Sequence, residues 1–233
     1  FMGRFPSLAA LAQAPLEDVL KCWEGLGYYR RAQNLHRGAQ QVMDAYGGRL
    51  PADPAALRRI TGIGPYTAGA IASIAFGIPC PAVDGNVIRV VSRVAGIRED
   101  VAVPSVARRI AAIAGEWVPA QRPGDFNQAL MDLGALICLP KNPRCEACPL
   151  SALCAAHREG RERELPRKPP KADKRRERRG VAIVLSGGCA LVRRRPETGL
   201  LAGLYEFPNF LDACDAASLT ECLEEAGISV RSG

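Results

Sequence analysis

The chain has 233 residues, enough for one domain core or for one core and part of a second. A hydrophobic fraction of 48% and a charged fraction of 24% are typical of globular proteins and exclude wholesale disorder. The nine cysteines are odd in number and no secretory segment opens the chain, which disfavours a disulfide scaffold. No apolar run approaches the ~18 residues of a membrane span, so we expect a reducing, cytoplasmic location and no membrane partner.

The positive charge is concentrated in one segment. The formal net charge is +7, and residues 157–180 hold 11 Lys/Arg against 5 Asp/Glu, a net of +6. The other segments together hold 20 Lys/Arg against 19 Asp/Glu and are nearly neutral. A basic excess attracts phosphate, but a local basic run is equally typical of a solvated linker. A DNA-binding arm and an exposed connector both remain open as interpretations of this segment.

Consecutive short helices are predicted from residue 7 to about residue 156. Apolar residues recur there at helical spacing, and almost nothing alternates with period two. Asp53 followed by Pro54 marks one helix start, and Gly115 is the expected end of another. The predicted helices span 8–12, 15–25, 30–46, 53–60, 66–76, 86–95, 105–114 and 126–137. The sequence therefore predicts an all-α domain over residues 1–156.

A second domain of different composition is predicted near the other end of the chain. Residues 157–180 are charged and contain three prolines, which is typical of an interdomain connector. Two strand-like runs, 181–185 and 189–193, flank a Ser-Gly-Gly turn, and a helical pattern covers 216–226. We expect a mainly α protein followed by a partial α+β domain over residues 181–233.

Four closely spaced cysteines give the strongest chemical signal. Their spacing is Cys138-x6-Cys145-x2-Cys148-x5-Cys154, directly after a predicted helix. With one C-x2-C pair instead of two, the spacing favours a cuboidal 4Fe-4S cluster over a zinc ribbon, while unliganded cysteines are the third alternative. Lys141 and Arg144 lie between the first two ligands, where they could face a phosphate backbone.

Residues 57–70 have the pattern of a helix, a Gly-x-Gly turn at Gly62 and Gly64, and a second helix. Such a turn exposes backbone N–H groups at a helix N-terminus, which bind phosphate without reading sequence. The alternative is an ordinary corner between two helices, because paired glycines are weak evidence by themselves.

A carboxylate follows this predicted hairpin at the start of the next helix. Asp84 lies eighteen residues after Tyr66, and on its own it would be interpreted as a helix N-cap. The order of hairpin, apolar helix, Pro79-x-Pro81 bend, Asp84 and four-cysteine loop favours a functional role for this side chain.

This order of motifs resembles the helix-hairpin-helix DNA glycosylase superfamily, and the cysteine pattern resembles its iron-sulfur branch. Within that branch, residues 23–32 (WEGLGYYRRA) and 131–135 (MDLGA) are similar to the adenine glycosylase (MutY) family. The resemblance covers nearly all of residues 1–154. It implies a helix-hairpin-helix fold, a 4Fe-4S cluster and hydrolysis of the N-glycosidic bond of adenine in duplex DNA, opposite 8-oxoguanine or guanine.

The resemblance also implies catalytic roles. Asp84 corresponds to the carboxylate that stabilises the cationic sugar carbon, and Tyr66 and Asn86 would order the polar site. Related bifunctional enzymes hold a Schiff-base lysine at the position of Tyr66, so this chain is expected to be monofunctional. The family's proton-donating glutamate lies on a helix before Phe1, so we expect these 233 residues alone to have impaired activity.

The implied partner is duplex DNA with an oxoguanine:adenine mispair, bound by a monomer associated with the nucleoid. Base flipping into a pocket is expected. Tyr28 would wedge into the duplex, unless it is a buried aromatic. The expected DNA-binding residues are Gly62, Gly64, Thr67, Tyr28, Arg30, Arg31, Lys141 and Arg144.

The last segment resembles the start of a Nudix-like recognition domain. Residues 221–228 look like part of a Nudix box, but Thr220 stands where the box has arginine and the upstream half is missing. We therefore expect lesion recognition without pyrophosphatase activity. Two further alternatives for the whole chain are a pyrimidine-lesion glycosylase with lyase activity and a non-catalytic DNA-binding module with a structural metal.

Overall fold

The computed structural model describes residues 1–169, 176–196, 198–213 and 215–229. The predicted connector is therefore described at its two ends, while residues 170–175 lie outside the described ranges. The chain divides into two compact units, Phe1–Glu24 with Arg31–Pro170, and Gly25–Arg30 with Lys171–Gly233. We call them the helical unit and the strand unit.

The helical unit follows the predicted helix order closely. Its helices are α1 (Leu8–Gln13), α2 (Leu16–Cys22), α3 (Arg30–Tyr46), α4 (Pro54–Leu57), α5 (Pro65–Phe76), α6 (Gly85–Val94), α7 (Pro104–Trp117), α8 (Pro123–Asp132) and α9 (Ala155–Arg158). Local chemistry sets several starts: Asp53 accepts a hydrogen bond from the Ala56 N–H, and Pro54 occupies the first turn. Gly77, with φ of 64°, ends α5 in the left-handed conformation that glycine favours.

Several predicted helix boundaries were wrong. The helix predicted to stop at Gly115 continues to Trp117, because an internal glycine lowers helix propensity without forbidding the helix. The helix predicted over 126–137 starts at Pro123 and changes at Leu133 into a π-helix, Leu133–Ile137. Helix α4 ends at Leu57 and not near Ile60.

Helix α6 lies at the centre of the largest core cluster. Its apolar side packs with α7 and α8, and nine buried side chains form this cluster: Val87, Val90, Val91, Ile97, Val101, Val106, Ile110, Ala114 and Leu130. A second cluster joins α4 and α5 to α3 through Val42, Leu57, Ile60, Ala68 and Ala72. Apolar burial around α6 thus fixes the helix that carries Asp84 at its N-terminus.

The first part of the predicted connector packs on the helical unit. Leu165 is 2% exposed and clusters with Cys154 and Ala156. The Val101 N–H donates to the Arg167 carbonyl oxygen at 3.1 Å. The chain therefore leaves the helical unit later than composition suggested, because a charged segment can still bury one leucine.

The strand unit contains short antiparallel strands and one helix. Its elements are β1 (Arg179–Val181), β2 (Leu185–Ser186), β3 (Cys189–Ala190), β4 (Arg193–Arg194), β5 (Tyr205–Glu206), β6 (Asn209–Leu211) and α10 (Ala216–Glu225). Strands β2 and β3 pair across Gly187 and Gly188, both at positive φ, as the predicted turn required. The two strands predicted around that turn are shorter than expected.

Among the helices of the described ranges, none combines the length and apolar composition needed to cross a bilayer.

Candidate functional site

Asp84 stands at the N-terminus of α6 with both carboxylate oxygens engaged locally. Its Oδ1 accepts a hydrogen bond from the Val87 N–H at 2.7 Å, and its Oδ2 accepts from Asn86 Nδ2 at 3.0 Å. The side chain is therefore an N-cap, and the capping bond fixes its orientation. Asp84 is only half-buried, so capping leaves the carboxylate within reach of a ligand.

A chain of hydrogen bonds connects Asp84 to the cysteine loop. The Arg89 guanidinium donates to Asn86 Oδ1 at 2.9 Å, to the Gly134 carbonyl oxygen at 2.6 Å and to the Cys138 carbonyl oxygen at 2.6 Å. Burial lowers the pKa of Arg89, while the neighbouring Cys138 acts in the opposite direction. Asn86, predicted from the resemblance, thus lies between the carboxylate and a buried cation that the sequence analysis missed.

Tyr66 lies in the first turn of α5 and is 41% exposed. Its hydroxyl donates to Met131 Sδ at 3.4 Å. Within the described residues it makes no hydrogen bond to Asp84 or Asn86. The structure therefore brings Tyr66 to the Met-Asp-Leu-Gly motif, and its predicted contribution to the polar site stays a prediction.

The hairpin has the geometry that its glycines suggested. Gly62 has φ of 86°, and Gly64 is the N-cap of α5 without a side-chain cap. The N–H groups in the first turn of a helix lack intrahelical partners, so those of Tyr66 and Thr67 are available to an anion. Gln41 braces the turn by accepting from the Thr61 N–H at 2.9 Å.

The four predicted cysteine ligands line one cavity beneath α6. Arg93, 1% exposed, donates to Cys138 Sγ at 3.2 Å and to the Leu139, Pro140 and Leu165 carbonyl oxygens. Thiolates are soft ligands that suit iron-sulfur clusters, and a buried guanidinium complements the negative charge of such a centre. The residues present therefore fit an iron-sulfur cluster.

Two further polar residues meet this cavity. His157 Nδ1 and Glu162 Oε1 are 2.6 Å apart, and both lie close to Cys145, all three ligand atoms being within 4.8 Å of one another. Burial raises the pKa of the Cys145 thiol, as do Glu162 and two of the other cysteines. Neither His157 nor Glu162 was predicted as a site residue, because both fall in the segment predicted to be an exposed connector.

The remaining predicted DNA contacts are solvent-exposed. Lys141 and Arg144 are exposed on the cysteine loop, as are Arg30 and Arg31 at the start of α3. Arg31 also stacks over the Trp23 ring, 5.2 Å from its centroid. Tyr28 is 82% exposed, so its alternative interpretation as a buried aromatic was wrong.

Comparison with known families matches two segments of the chain. Residues 1–119 match the model described as HhH-GPD superfamily base excision DNA repair protein. Residues 138–154 match the iron-sulfur binding domain of endonuclease III, which confirms the predicted iron-sulfur cofactor. The matched ranges contain the hairpin, Asp84 and the four cysteines.

Several curated relatives carry the name adenine DNA glycosylase. The proteins of Rattus norvegicus and Homo sapiens are 39% and 36% identical, each over 90% of this chain, and cover 49% and 47% of their own lengths. The Arabidopsis thaliana protein is 38% identical over 94% of this chain and 40% of its own length. The chain thus spans about half the length of these relatives or less.

Solved structures agree with this fold. A thermostable thymine-DNA glycosylase superposes with a TM-score of 0.61 and 31% identity, over 68% of this chain and 73% of its own. Endonuclease III in a non-covalent DNA complex superposes with a TM-score of 0.58 and 27% sequence identity, over 68% of this chain and 73% of its own. The predicted helix-hairpin-helix fold is therefore confirmed.

Proposed function

The chain belongs to the HhH-GPD superfamily of base excision DNA repair proteins, and we propose that the full-length protein hydrolyses the N-glycosidic bond of adenine in duplex DNA. The observation that carries the proposal is the Asp84 carboxylate, which is held in a fixed orientation at the start of α6. It lies in the same unit as the hairpin, which is of a type that binds phosphate. The identity to adenine DNA glycosylases supports the choice of base.

Asp84 supplies the charge that this reaction needs. Departure of adenine leaves positive charge on the sugar carbon, which a carboxylate stabilises electrostatically or by a transient bond. The Val87 N–H and the Asn86 amide hold the carboxylate in one orientation, so little reorganisation is needed during the reaction. Adenine must also be protonated to leave, and we do not assign this proton transfer to Asp84.

The hairpin is proposed to hold the DNA backbone while the adenine is flipped out. Free N–H groups at the start of α5 bind phosphate irrespective of sequence. Selectivity for the base then comes from the pocket that receives it. Tyr66 cannot form a Schiff base, so the proposed enzyme breaks the glycosidic bond and leaves the strand intact.

When bound, the iron-sulfur cluster supplies a structural anchor for the cysteine loop. Cys138, Cys145, Cys148 and Cys154 would hold it, and the loop presents Lys141 and Arg144 to solvent. Exposed cations on a fixed loop attract phosphate, which supports DNA binding beside the hairpin.

The proposed substrate is an oxoguanine:adenine mispair, bound by a monomer in a cytoplasmic, nucleoid-associated setting. Excision rates on oxoguanine:adenine, guanine:adenine and thymine:adenine duplexes test the lesion preference. Equal rates on all three duplexes would contradict it. Borohydride trapping tests the monofunctional assignment, since a trapped covalent complex requires a Schiff base.

The central test is Asp84→Asn in the cluster-loaded full-length protein, measured as single-turnover release of adenine. Loss of the carboxylate is expected to lower the rate by about 10²–10³-fold, the usual effect of removing one transition-state stabiliser. Asp44→Asn, an exposed change on α3, is the matched control and should leave the rate unchanged. Retention of excision by Asp84→Asn, with intact DNA binding, would overturn the proposal.

A further inference from the structure

The segment that delivers Asp84 to α6 has no regular structure of its own. It joins the end of α5 at Phe76 to the start of α6 at Gly85 and contains Pro79 and Pro81, which donate no backbone hydrogen bonds. A catalytic carboxylate must nevertheless be held within about 0.5 Å of its productive position. Something outside the segment must therefore fix it.

The side-chain amide of Asn127, on α8, forms two hydrogen bonds with the backbone of this segment. Its Oδ1 accepts from the Ala82 N–H at 3.1 Å, and its Nδ2 donates to the Cys80 carbonyl oxygen at 2.8 Å. These two bonds bracket Pro81 and end two residues before Asp84. Asn127 is 1% exposed and Ala82 is fully buried, so the bond to the Ala82 N–H is shielded from water, and the bond to the Cys80 carbonyl is partly shielded.

Helix α5 also contacts the segment. A Cβ at Gly69 would lie 2.1 Å from the Pro81 carbonyl oxygen, so the α5 backbone is in direct contact with the segment. Asn127 Nδ2 also donates to Ser73 Oγ of α5 at 2.9 Å. The amide thus bonds both to the segment and to the helix behind it.

The three bonds of Asn127 use one acceptor and two donor hydrogens, which a side-chain amide supplies and a hydroxyl does not. Only a group that accepts and donates at once can satisfy the Ala82 N–H and the Cys80 carbonyl from one position. A leucine would fill a similar core volume but remove both bonds, leaving the Ala82 N–H buried without this partner. Burying a polar amide between helices costs free energy unless the amide is hydrogen-bonded, as Asn127 is here.

We infer that Asn127 is a positioning residue for the glycosylase reaction, which sets the place of the Asp84 carboxylate by clamping residues 80–82. The inference rests on the proposed function, since it concerns the same carboxylate. Asn127 touches neither the DNA-binding hairpin residues nor the cysteine ligands among its hydrogen-bond partners in the described ranges. Its loss therefore acts on the chemical step and not on DNA affinity.

The test is Asn127→Ala in the cluster-loaded full-length protein, with single-turnover adenine excision and duplex DNA affinity measured separately. The excision rate should fall about 10- to 100-fold, the effect of a misplacement near 1 Å. DNA affinity and the cluster absorbance should be unchanged. The matched control is Ser73→Ala, which removes the third partner of the amide, keeps the clamp on residues 80–82 and should leave the rate within about threefold.

A second variant covers the case in which Asn127→Ala fails to fold. Asn127→Leu keeps a similar core volume but can neither accept from the Ala82 N–H nor donate to the Cys80 carbonyl, so the excision rate should also fall. An unchanged rate in a folded variant, or a rate loss that matches the loss of DNA affinity, would overturn the inference. Loss of the fold in both variants would overturn it too, by assigning Asn127 to general packing.

The Asp84→Asn variant separates this inference from the proposed function. If Asp84→Asn abolishes excision and the Asn127 variants do not slow it, only the positioning role is wrong. If Asp84→Asn retains excision, the proposed function itself is wrong.

Discussion

The two ends of α6 are held by different means. At its N-terminus, Asp84 is bonded by groups only two and three positions along the chain. Towards its C-terminus, Arg89 and Arg93 reach carbonyl oxygens 45 to 72 positions away. The reactive carboxylate is therefore oriented by local capping, although Asn127 also holds the segment before it, whereas the cofactor end is held by long buried side chains. The first kind of support is visible in a sequence, whereas the second is not.

The largest effect is expected at the cofactor end. Arg93→Met keeps much of the side-chain volume but removes the donors to Cys138 Sγ and to three carbonyl oxygens. Several buried acceptors lose their partner, so the free energy of unfolding should fall by ~3–5 kcal/mol. Iron content per chain should fall with it. Chemical denaturation and iron analysis measure the two effects.

The control for Arg93→Met is Arg98→Met. Arg98 is exposed and pairs with Glu159, and surface pairs of this kind contribute about 0–1 kcal/mol. Full iron content and unchanged stability in Arg93→Met would show that the buried guanidinium is dispensable. The contrast between the two ends of α6 would then disappear.

A change that presses on the start of α6 should have an intermediate effect. A Cβ at Gly134 would lie 2.5 Å from the Asn86 Cβ, so Gly134→Ala must displace the start of α6. Overpacking of this kind costs about 1–3 kcal/mol, and we expect slower adenine excision because Asn86 bonds to Asp84. Thermal unfolding and single-turnover excision measure both.

Gly115→Ala is the control for Gly134→Ala. Its added methyl would meet Pro81 Cγ at 3.6 Å, an ordinary contact, inside α7. Alanine is the better helix former, so this change should stabilise the protein by about 0.5–1 kcal/mol. Equal effects of the two glycine changes would contradict the close approach of the π-helix to α6.

The contrast between local capping and long-range side-chain bonds explains which features the sequence could predict. The glycines of the hairpin, the cap at Asp84 and the cysteine spacing have fixed chemical reasons within a few residues, and the structure shows the hairpin, the cap and the shared cavity. Arg89 and Arg93 lie four residues apart on the polar face of α6, yet their carbonyl and thiol acceptors come from residues 134–140 and 165. Such partners are decided by tertiary packing, as is the burial of Leu165 within a segment of connector composition.

At the hairpin, a smaller change should separate binding from folding. A Cβ at Gly64 meets nothing within 4 Å, so Gly64→Ala should fold normally. The methyl group would stand where a phosphate approaches, and we expect roughly tenfold weaker duplex binding, comparable to one lost charged hydrogen bond. Fluorescence anisotropy on a duplex measures the affinity.

Gly62→Ala provides the comparison for Gly64→Ala. At Gly62 the φ is positive and an added Cβ would lie 2.9 Å from the Asn34 Cβ, so this change should also lower stability. If Gly64→Ala bound duplex DNA normally, the phosphate would not contact this turn.

The smallest effect is expected from the exposed cations of the cysteine loop. Lys141→Ala should leave folding and iron content unchanged, because Lys141 is exposed. If it contacts one phosphate, the slope of log affinity against log salt should become shallower by about 0.9. Arg109→Ala removes the same charge from a surface pair with Glu99 and should leave the slope unchanged. Equal slopes for both variants would mean that DNA is attracted by net charge alone and not by the position of Lys141 on the cysteine loop. The cluster would then support α6 without presenting a DNA-binding loop.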